Sequence, residues 1–284
     1  MIHLNGVPIA FDRTGTGPAL VFLHAGVADR RQWRHAYDAL KAGYDVTRYD
    51  APGHGDSGDP PRDHAPHRTL LALMDALGIE RAALIGNSMG AAYAAEAALA
   101  APERVTALVL ISPGLSGHTW PPEMLAQVRE RVHSAVPAAA LARYARGAAV
   151  PDPAHALALA RAHTRWQVAG PGRTEDDLDP RVWALAVDML QNVFQRTWTR
   201  PKTAELPLEP PAAGRLHTIA APTLVINGLA DVPGIQEVAG LYHSRIPGAR
   251  RLDLPATGHL PPLERPHEVT GATAAFLQEV LPSR

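Results

Sequence analysis

The pentapeptide Gly86-Asn87-Ser88-Met89-Gly90 is the first place where this sequence could do chemistry. It follows a short apolar run, Ala82-Ala83-Leu84-Ile85, and opens an Ala-rich stretch that reads as a helix to Ala101. A serine in a G-x-S-x-G pattern between a buried strand and a helix is held out on a sharp turn as a nucleophile. The backbones of strand and helix nearly touch there, so the residues two before and two after the serine must be very small. Gly86 and Gly90 meet that demand. In the competing reading Ser88 only N-caps the helix after a glycine turn.

A serine hydroxyl needs a base, and the base needs an orienter. Behind such a turn they follow in the order Ser, Asp/Glu, His, at the ends of later strands. Thr223–Ile226 is a later strand, and Asp231 is the only acid in its loop before the next helix, where a helix cap is the alternative role. Asp253 lies inside a strand and faces the wrong layer or solvent. His259, after Gly258 in the loop that follows the last strand, stands out by position among 14 histidines. His243 and His267 fall on helix surfaces, and His54 braces the Gly-rich loop Pro52–Gly58. An oxyanion needs two backbone N–H groups. Met89 supplies one, and Gly26, in the loop Leu23-His24-Ala25-Gly26 after an earlier strand, supplies the other. His24 is expected to bond loop backbone, and Trp33 to pack.

The elements that must position these groups alternate. Strands at Leu20–Leu23, Tyr44–Tyr49, Ala82–Ile85 and Val105–Ile111 are separated by helices at Asp29–Ala42, His67–Leu77 and Met89–Ala101. This predicts a mostly parallel α/β sheet with helices on both faces. Ile2–Val7 and Pro8–Asp12 read as a hairpin that adds an antiparallel edge. Between Pro113 and Leu216 the strand-like runs stop; helix formers, broken at Pro137, Pro151, Pro153, Pro171 and Pro180, and the aromatics Trp166, Trp183, Phe194 and Trp198 take over. The strand–helix texture then returns, with a strand at Arg251–Leu254 and a final helix over Pro266–Val280. The division is therefore 1–112 with 217–284 as the core, and 113–216 as a helical insertion.

Composition narrows the function. The 27 Lys+Arg and 28 Asp+Glu leave a net charge of -1, so no basic field is available for nucleic acid or an anionic membrane. The absence of cysteine excludes disulfides, thiol nucleophiles and thiolate metal sites. No signal peptide or membrane span is readable, so a cytoplasmic protein is expected. Nothing points to a metal, nucleotide or flavin, so no cofactor is expected; the partner is a small-molecule substrate, and no oligomeric state can be read.

Taken together, His24-Ala25-Gly26, Asp50-Ala51-Pro52-Gly53-His54-Gly55-Asp56-Ser57, Gly86-Asn87-Ser88-Met89-Gly90, Asp231 and Gly258-His259-Leu260-Pro261 resemble the α/β-hydrolase superfamily over essentially the full length. The resemblance implies an α/β-hydrolase fold, a Ser88-Asp231-His259 triad, and a cap formed by 113–216 over the pocket. The Gly-Asn-Ser-Met-Gly turn looks like that of carbon–carbon hydrolases acting on ring-cleavage products; the segment after His259 looks more like esterases and enol-lactonases. A serine hydrolase of a small to medium, largely apolar ester or lactone is the leading expectation. A carbon–carbon hydrolase, a slow-turnover ligand receptor and a non-hydrolytic lyase or cyclase are the alternatives. Val27, Met89 and Leu260, with Trp166, Trp183 and Trp198, are expected to line an apolar to mixed pocket. Arg161, Arg165 and Arg200 could hold a substrate carboxylate or face solvent.

Overall fold

The structure is a computed structural model that describes residues 1–281. A seven-stranded sheet carries the fold. Its strands are β3 (Phe11–Thr14), β4 (Ala19–Leu23), β5 (Asp45–Tyr49), β6 (Ala82–Asn87), β7 (Val105–Ile111), β8 (Thr223–Gly228) and β9 (Arg250–Leu254), in the order β3-β5-β4-β6-β7-β8-β9. All are parallel except β3, which pairs antiparallel with β5 at one edge. The central strands are buried on both faces, which is why β6 and β7 read as apolar runs without alternation.

The helices α2 (Pro66–Ala76), α3 (Met89–Ala100) and α8 (Pro233–Arg245) cover one face with Leu70, Ala94 and Tyr242. The helices α1 (Arg34–Leu40) and α10 (Pro266–Val280) cover the other, with Ala36, Leu40, Phe276 and Leu277 against Leu20, Phe22 and Ile85. Trp33 packs there as expected, its ring 5.0 Å from that of Phe22. Each large apolar side chain so buried contributes about 1.5–3 kcal/mol. A single-turn helix, α9 (Pro261–Glu264), precedes α10.

The N-terminus corrects the sequence reading. The hairpin is shorter than expected, with β1 (Ile2–Leu4) and β2 (Val7–Ile9) paired Leu4 to Val7. The turn falls at Asn5-Gly6, both at positive φ, the demand of a two-residue hairpin turn. That hairpin forms a sheet of its own, and the antiparallel edge of the main sheet comes from Phe11–Thr14 alone.

Between β7 and β8 lie α4 (Pro122–Gln127), α5 (Ala138–Tyr144), α6 (Pro153–His163) and α7 (Pro180–Thr199), with no strand among the described residues of that stretch. Asp152 and Asp179 cap α6 and α7, accepting the N–H of Ala154 at 2.8 Å and of Arg181 at 2.7 Å, each followed by a proline in the first turn. A wider π-helical turn, Thr164–Ala169, continues α6. Ala160, Val168 and Ala169 pack with Ala186 and Leu190 of α7 and with Ala25, Val27 and Leu260. The helical segment therefore rests on the loops that leave the carboxyl ends of β4 and β9.

Candidate active site

Ser88 sits where β6 becomes α3, at φ 54° and ψ -112°. Such backbone costs about 1–3 kcal/mol for a residue other than glycine, so its surroundings must enforce it. They do: its N–H donates to Ile111 O at 2.9 Å, and its carbonyl accepts from Ala91, Ala92 and Gly114. The side chain makes no capping bond to α3, which leaves the hydroxyl free for other work. The flanking glycines are required by space. A Cβ on Gly86 would lie 2.4 Å from Gly90 O, and one on Gly90 would lie 2.3 Å from Leu23 O.

The structure brings Asp231 and His259 to this serine. Ser88 Oγ–H donates to His259 Nε2 at 2.8 Å, and His259 Nδ1–H donates to Asp231 Oδ2 at 2.6 Å. A carboxylate can only accept, so the second bond fixes the imidazole tautomer that leaves Nε2 free to take a proton. Asp231 Oδ1 is held by the N–H of Val232 at 2.7 Å. Asp231 is 2% exposed and His259 1%, while Ser88 stays half-buried and reachable. Asp253 points away, taken up by Arg251 and Asn227, and His243 and His267 are exposed on α8 and α10.

Gly26 and Met89 are neighbours: a Cβ on Gly26 would lie 3.3 Å from Met89 Sδ. Among the described residues neither of their N–H groups has an acceptor. The loop bearing Gly26 is braced by two buried histidines. His24 donates from Nδ1 to Ala25 O at 2.8 Å and accepts the N–H of Ala51 at 3.0 Å, so it is neutral and bonded to loop backbone. His54 lies between Pro52 O and Gly26 O. Burial, helped by the His24 ring, pulls its pKa down to about 4, so at pH 7 the ring is neutral and its single N–H donates to one of the two carbonyls.

Several positioning residues escape a sequence reading. The N–H of Ala25 donates to Gln32 Oε1 at 3.1 Å, and Gln32 Nε2 donates to Asn87 Oδ1 at 2.9 Å. Asn87 Nδ2 then donates to Ile111 O and His259 O, so one buried chain of amides ties the Gly26 loop, the serine turn and the histidine loop together. Asn87 lies inside the recognised motif, but only its partners reveal this work. On the other side, Glu264 accepts the N–H of Gly258 at 2.8 Å and Arg173 Nη1 at 2.9 Å. Burial pushes the Glu264 carboxyl up to about 7 against the opposing pull of Arg173. The helical segment also touches both loops through backbone. A Cβ on Gly258 would lie 1.9 Å from Val168 O, and one on Gly170 would lie 1.8 Å from Ala230 O.

The residues expected to line a pocket divide into two groups. Val27, Leu260 and a half-buried Trp183 pack with Ala25, Val168 and Ala169 beside the loops of Gly26 and His259. Trp166 and Trp198 pack instead with Tyr144, Val132, Val232 and Ile235. Trp198 stacks on Tyr144 at 4.0 Å and lies 5.8 Å from the Phe194 ring. The three arginines turn elsewhere: Arg161 is exposed, Arg165 pairs with Glu175 at 2.7 Å, and Arg200 pairs with Asp59 at 3.2 Å. Among the described residues no three His, Asp or Glu side chains converge as metal ligands would, and no helix is long and apolar enough to cross a membrane.

Known proteins share this plan. The chain is 30% identical over 269 residues to the protein named "Putative carbamate hydrolase RutD" of Klebsiella variicola (strain At-22), a match spanning 91% of this chain and 90% of that one. It is 40% identical over 126 residues to the 2-hydroxy-6-oxononadienedioate/2-hydroxy-6-oxononatrienedioate hydrolase of Comamonas testosteroni, a match spanning 42% of each chain. The solved enol-lactonase of Burkholderia xenovorans LB400 superposes with a TM-score of 0.67 at 24% identity, over 96% of this chain and 98% of that one. Residues 18–266 match the family described as alpha/beta hydrolase fold. With the sheet order, the strained serine turn and this match over most of its length, the chain belongs to the alpha/beta hydrolase fold family.

Proposed function

We propose that the chain is a serine hydrolase that opens a small to medium, largely apolar ester or lactone through an acyl-enzyme on Ser88. The observation that carries this reading is the pair of hydrogen bonds from Ser88 through His259 to Asp231. As Ser88 Oγ attacks the carbonyl carbon, its proton passes to His259 Nε2. Asp231 holds the imidazole in place and stabilises the imidazolium. The N–H groups of Gly26 and Met89 receive the oxyanion, each contributing about 10²–10³ in rate. His259 then returns the proton to the departing alkoxide oxygen, which in a lactone stays attached to the acyl group. A water gives its proton to Nε2 and attacks the acyl-enzyme. Collapse expels Ser88 Oγ, which takes the proton back. The segment 113–216, as a cap above this site, supplies the apolar wall with Val27, Leu260 and Trp183.

The test is turnover of a short p-nitrophenyl ester by wild type and Ser88→Ala. Loss of turnover in a folded variant is expected; retained turnover overturns the assignment. A second reading, hydrolysis of a carbon–carbon bond in a ring-cleavage-type diketone, is favoured by the 40% identity to the Comamonas hydrolase over 126 residues. Product analysis with a vinylogous diketone separates the two.

A further inference from the structure

The loop that carries Gly26 is held by a second loop, and the second loop is held by α7. Segment 52–58 meets the Gly26 loop at two points. The N–H of Ala51, just before it, donates to His24 Nε2 at 3.0 Å. The His54 ring lies 4.9 Å from the His24 ring, with Nε2 3.3 Å from Gly26 O. Other bonds fold the segment onto the core: Ser57 Oγ donates to Asp50 O at 2.6 Å, and the N–H of Gly58 donates to Pro8 O at 2.7 Å. Two of its carbonyls are taken by the last turn of α7. Arg196 Nη1 donates to Gly55 O at 2.7 Å, and Nη2 donates to Ser57 O at 2.6 Å. Among the described residues neither carbonyl has another partner. One turn on, Arg200 lies so close over Gly53 that any Cβ there would overlap its guanidinium.

Two roles compete for Arg196. Its third bond, from Nη2 to Asp59 Oδ1 at 3.0 Å, is an ion pair to an exposed carboxylate, and pairs of that kind contribute little. The two carbonyl bonds are different in kind. A guanidinium presents its donors in one rigid plane, so gripping two carbonyls two residues apart fixes the course of the chain between them as well as its place. An ammonium is a single point and does not hold both in that geometry. Arg196 makes no hydrogen bond with Ser88, Asp231 or His259, so what it does for the reaction passes through the loop.

We infer that Arg196 is a positioning residue for the oxyanion: from the end of α7 it sets segment 52–58, and through His24 and His54 that segment sets where the N–H of Gly26 points. Segment 113–216 then does more than wall a pocket, because one of its helices takes part in aiming a donor on the core. A donor stabilises an oxyanion only when it is aimed beforehand, and a misplacement of about 1 Å can cost about 10² in rate. Without Arg196 the loop keeps its bonds to the core, so a partial loss of about tenfold is expected. This inference rests on the proposed hydrolase chemistry at Ser88, with Gly26 as an oxyanion donor.

The experiment measures two quantities in wild type, Arg196→Met and Arg196→Lys, per active site counted by complete fluorophosphonate labelling of Ser88. One is kcat/KM for p-nitrophenyl butanoate across pH. The other is Ki for 1,1,1-trifluoropentan-2-one, whose carbonyl carbon takes Ser88 Oγ while its oxygen becomes an oxyanion and the serine proton passes to His259 Nε2. Methionine should lower kcat/KM by about tenfold, and lysine, which keeps the charge but not the fork, by about threefold. Ki should rise by the same factors. The acid limb of the pH profile, which reports His259, should stay in place in the lysine variant. A purely structural role changes the number of active sites and leaves both quantities per site unchanged. Values within about twofold of wild type in both variants overturn the inference alone. So does a fall in kcat/KM with Ki unmoved, or one explained by a displaced acid limb. If Arg196→Met does not fold, Arg196→Lys carries the same readings; failure of both to fold makes Arg196 a residue of the fold and overturns the inference too. Absence of Ser88-dependent turnover in wild type overturns the hydrolase reading, and this inference with it.

Discussion

Replacing Glu264 by glutamine should change how stability depends on pH. The carboxyl is buried between Arg173 and the N–H of Gly258, and its pKa rises from an ordinary 4.5 to about 7. Below the lower value both folded and unfolded chains hold the proton, and above the higher value neither does. Between them the unfolded chain has released it while the folded chain keeps it. Stability therefore falls as pH rises through this window, by about 3 kcal/mol in total for a shift of this size. Glutamine keeps an acceptor for Gly258 but cannot titrate. Urea unfolding of wild type and Glu264→Gln across pH 5 to 8 isolates the effect, because every other titrating group is common to both. The wild type should lose about 2–3 kcal/mol relative to the variant over that range, seen as roughly 5–10 °C in Tm. A difference that stays constant with pH would mean that Arg173 offsets or outweighs burial, so that Glu264 ionises in or below the ordinary range, and would refute the reasoning.

The remaining predictions concern the site itself. Asp231→Asn should keep the fold but lower kcat by about 10⁴, because an amide at Oδ2 no longer enforces the Nδ1–H tautomer of His259; steady-state kinetics on a p-nitrophenyl ester reads it. Gly86→Ala puts a Cβ 2.4 Å from backbone that cannot step aside, and should cost about 3 kcal/mol or more in chemical denaturation, with activity lost alongside. Its control is Gly271→Ala on the exposed face of α10, where a Cβ meets nothing within 4 Å and should stabilise by up to about 1 kcal/mol.

The sheet was legible because its strands are buried on both sides and announce themselves as unbroken apolar runs between Gly and Pro stops. Ser88, Asp231 and His259 were legible because each lies just past the carboxyl end of a strand, so that spacing alone assigns them to one edge. The hairpin boundary was misplaced although the sequence carries its signal: Asn5-Gly6 supplies the two positive-φ residues of a two-residue turn, and the apolar residues Leu4 and Val7 on either side do not make it part of a strand. The ties around the site had no local signal. Gln32, Asn87, Arg173 and Glu264 are ordinary polar residues whose partners lie far along the chain, and only burial turns them into obligatory hydrogen bonds. The aromatic group split for the same reason: α7 carries Trp183 and Trp198 on faces that meet different neighbours, and its sequence does not say which neighbour is above which face.

The close seams at Gly170 and Gly258 bear on how parts of this protein could be exchanged with relatives. A chimera that imports a foreign helical segment wholesale would bring its own backbone against Ala230 and Gly258, with no side-chain flexibility to absorb a misfit of even one ångström. Splice points placed so that Val168 to Arg173 travel with the recipient's strands, leaving the donor to supply only what lies outside that stretch, would preserve the acid and base loops while a new binding wall is grafted above them.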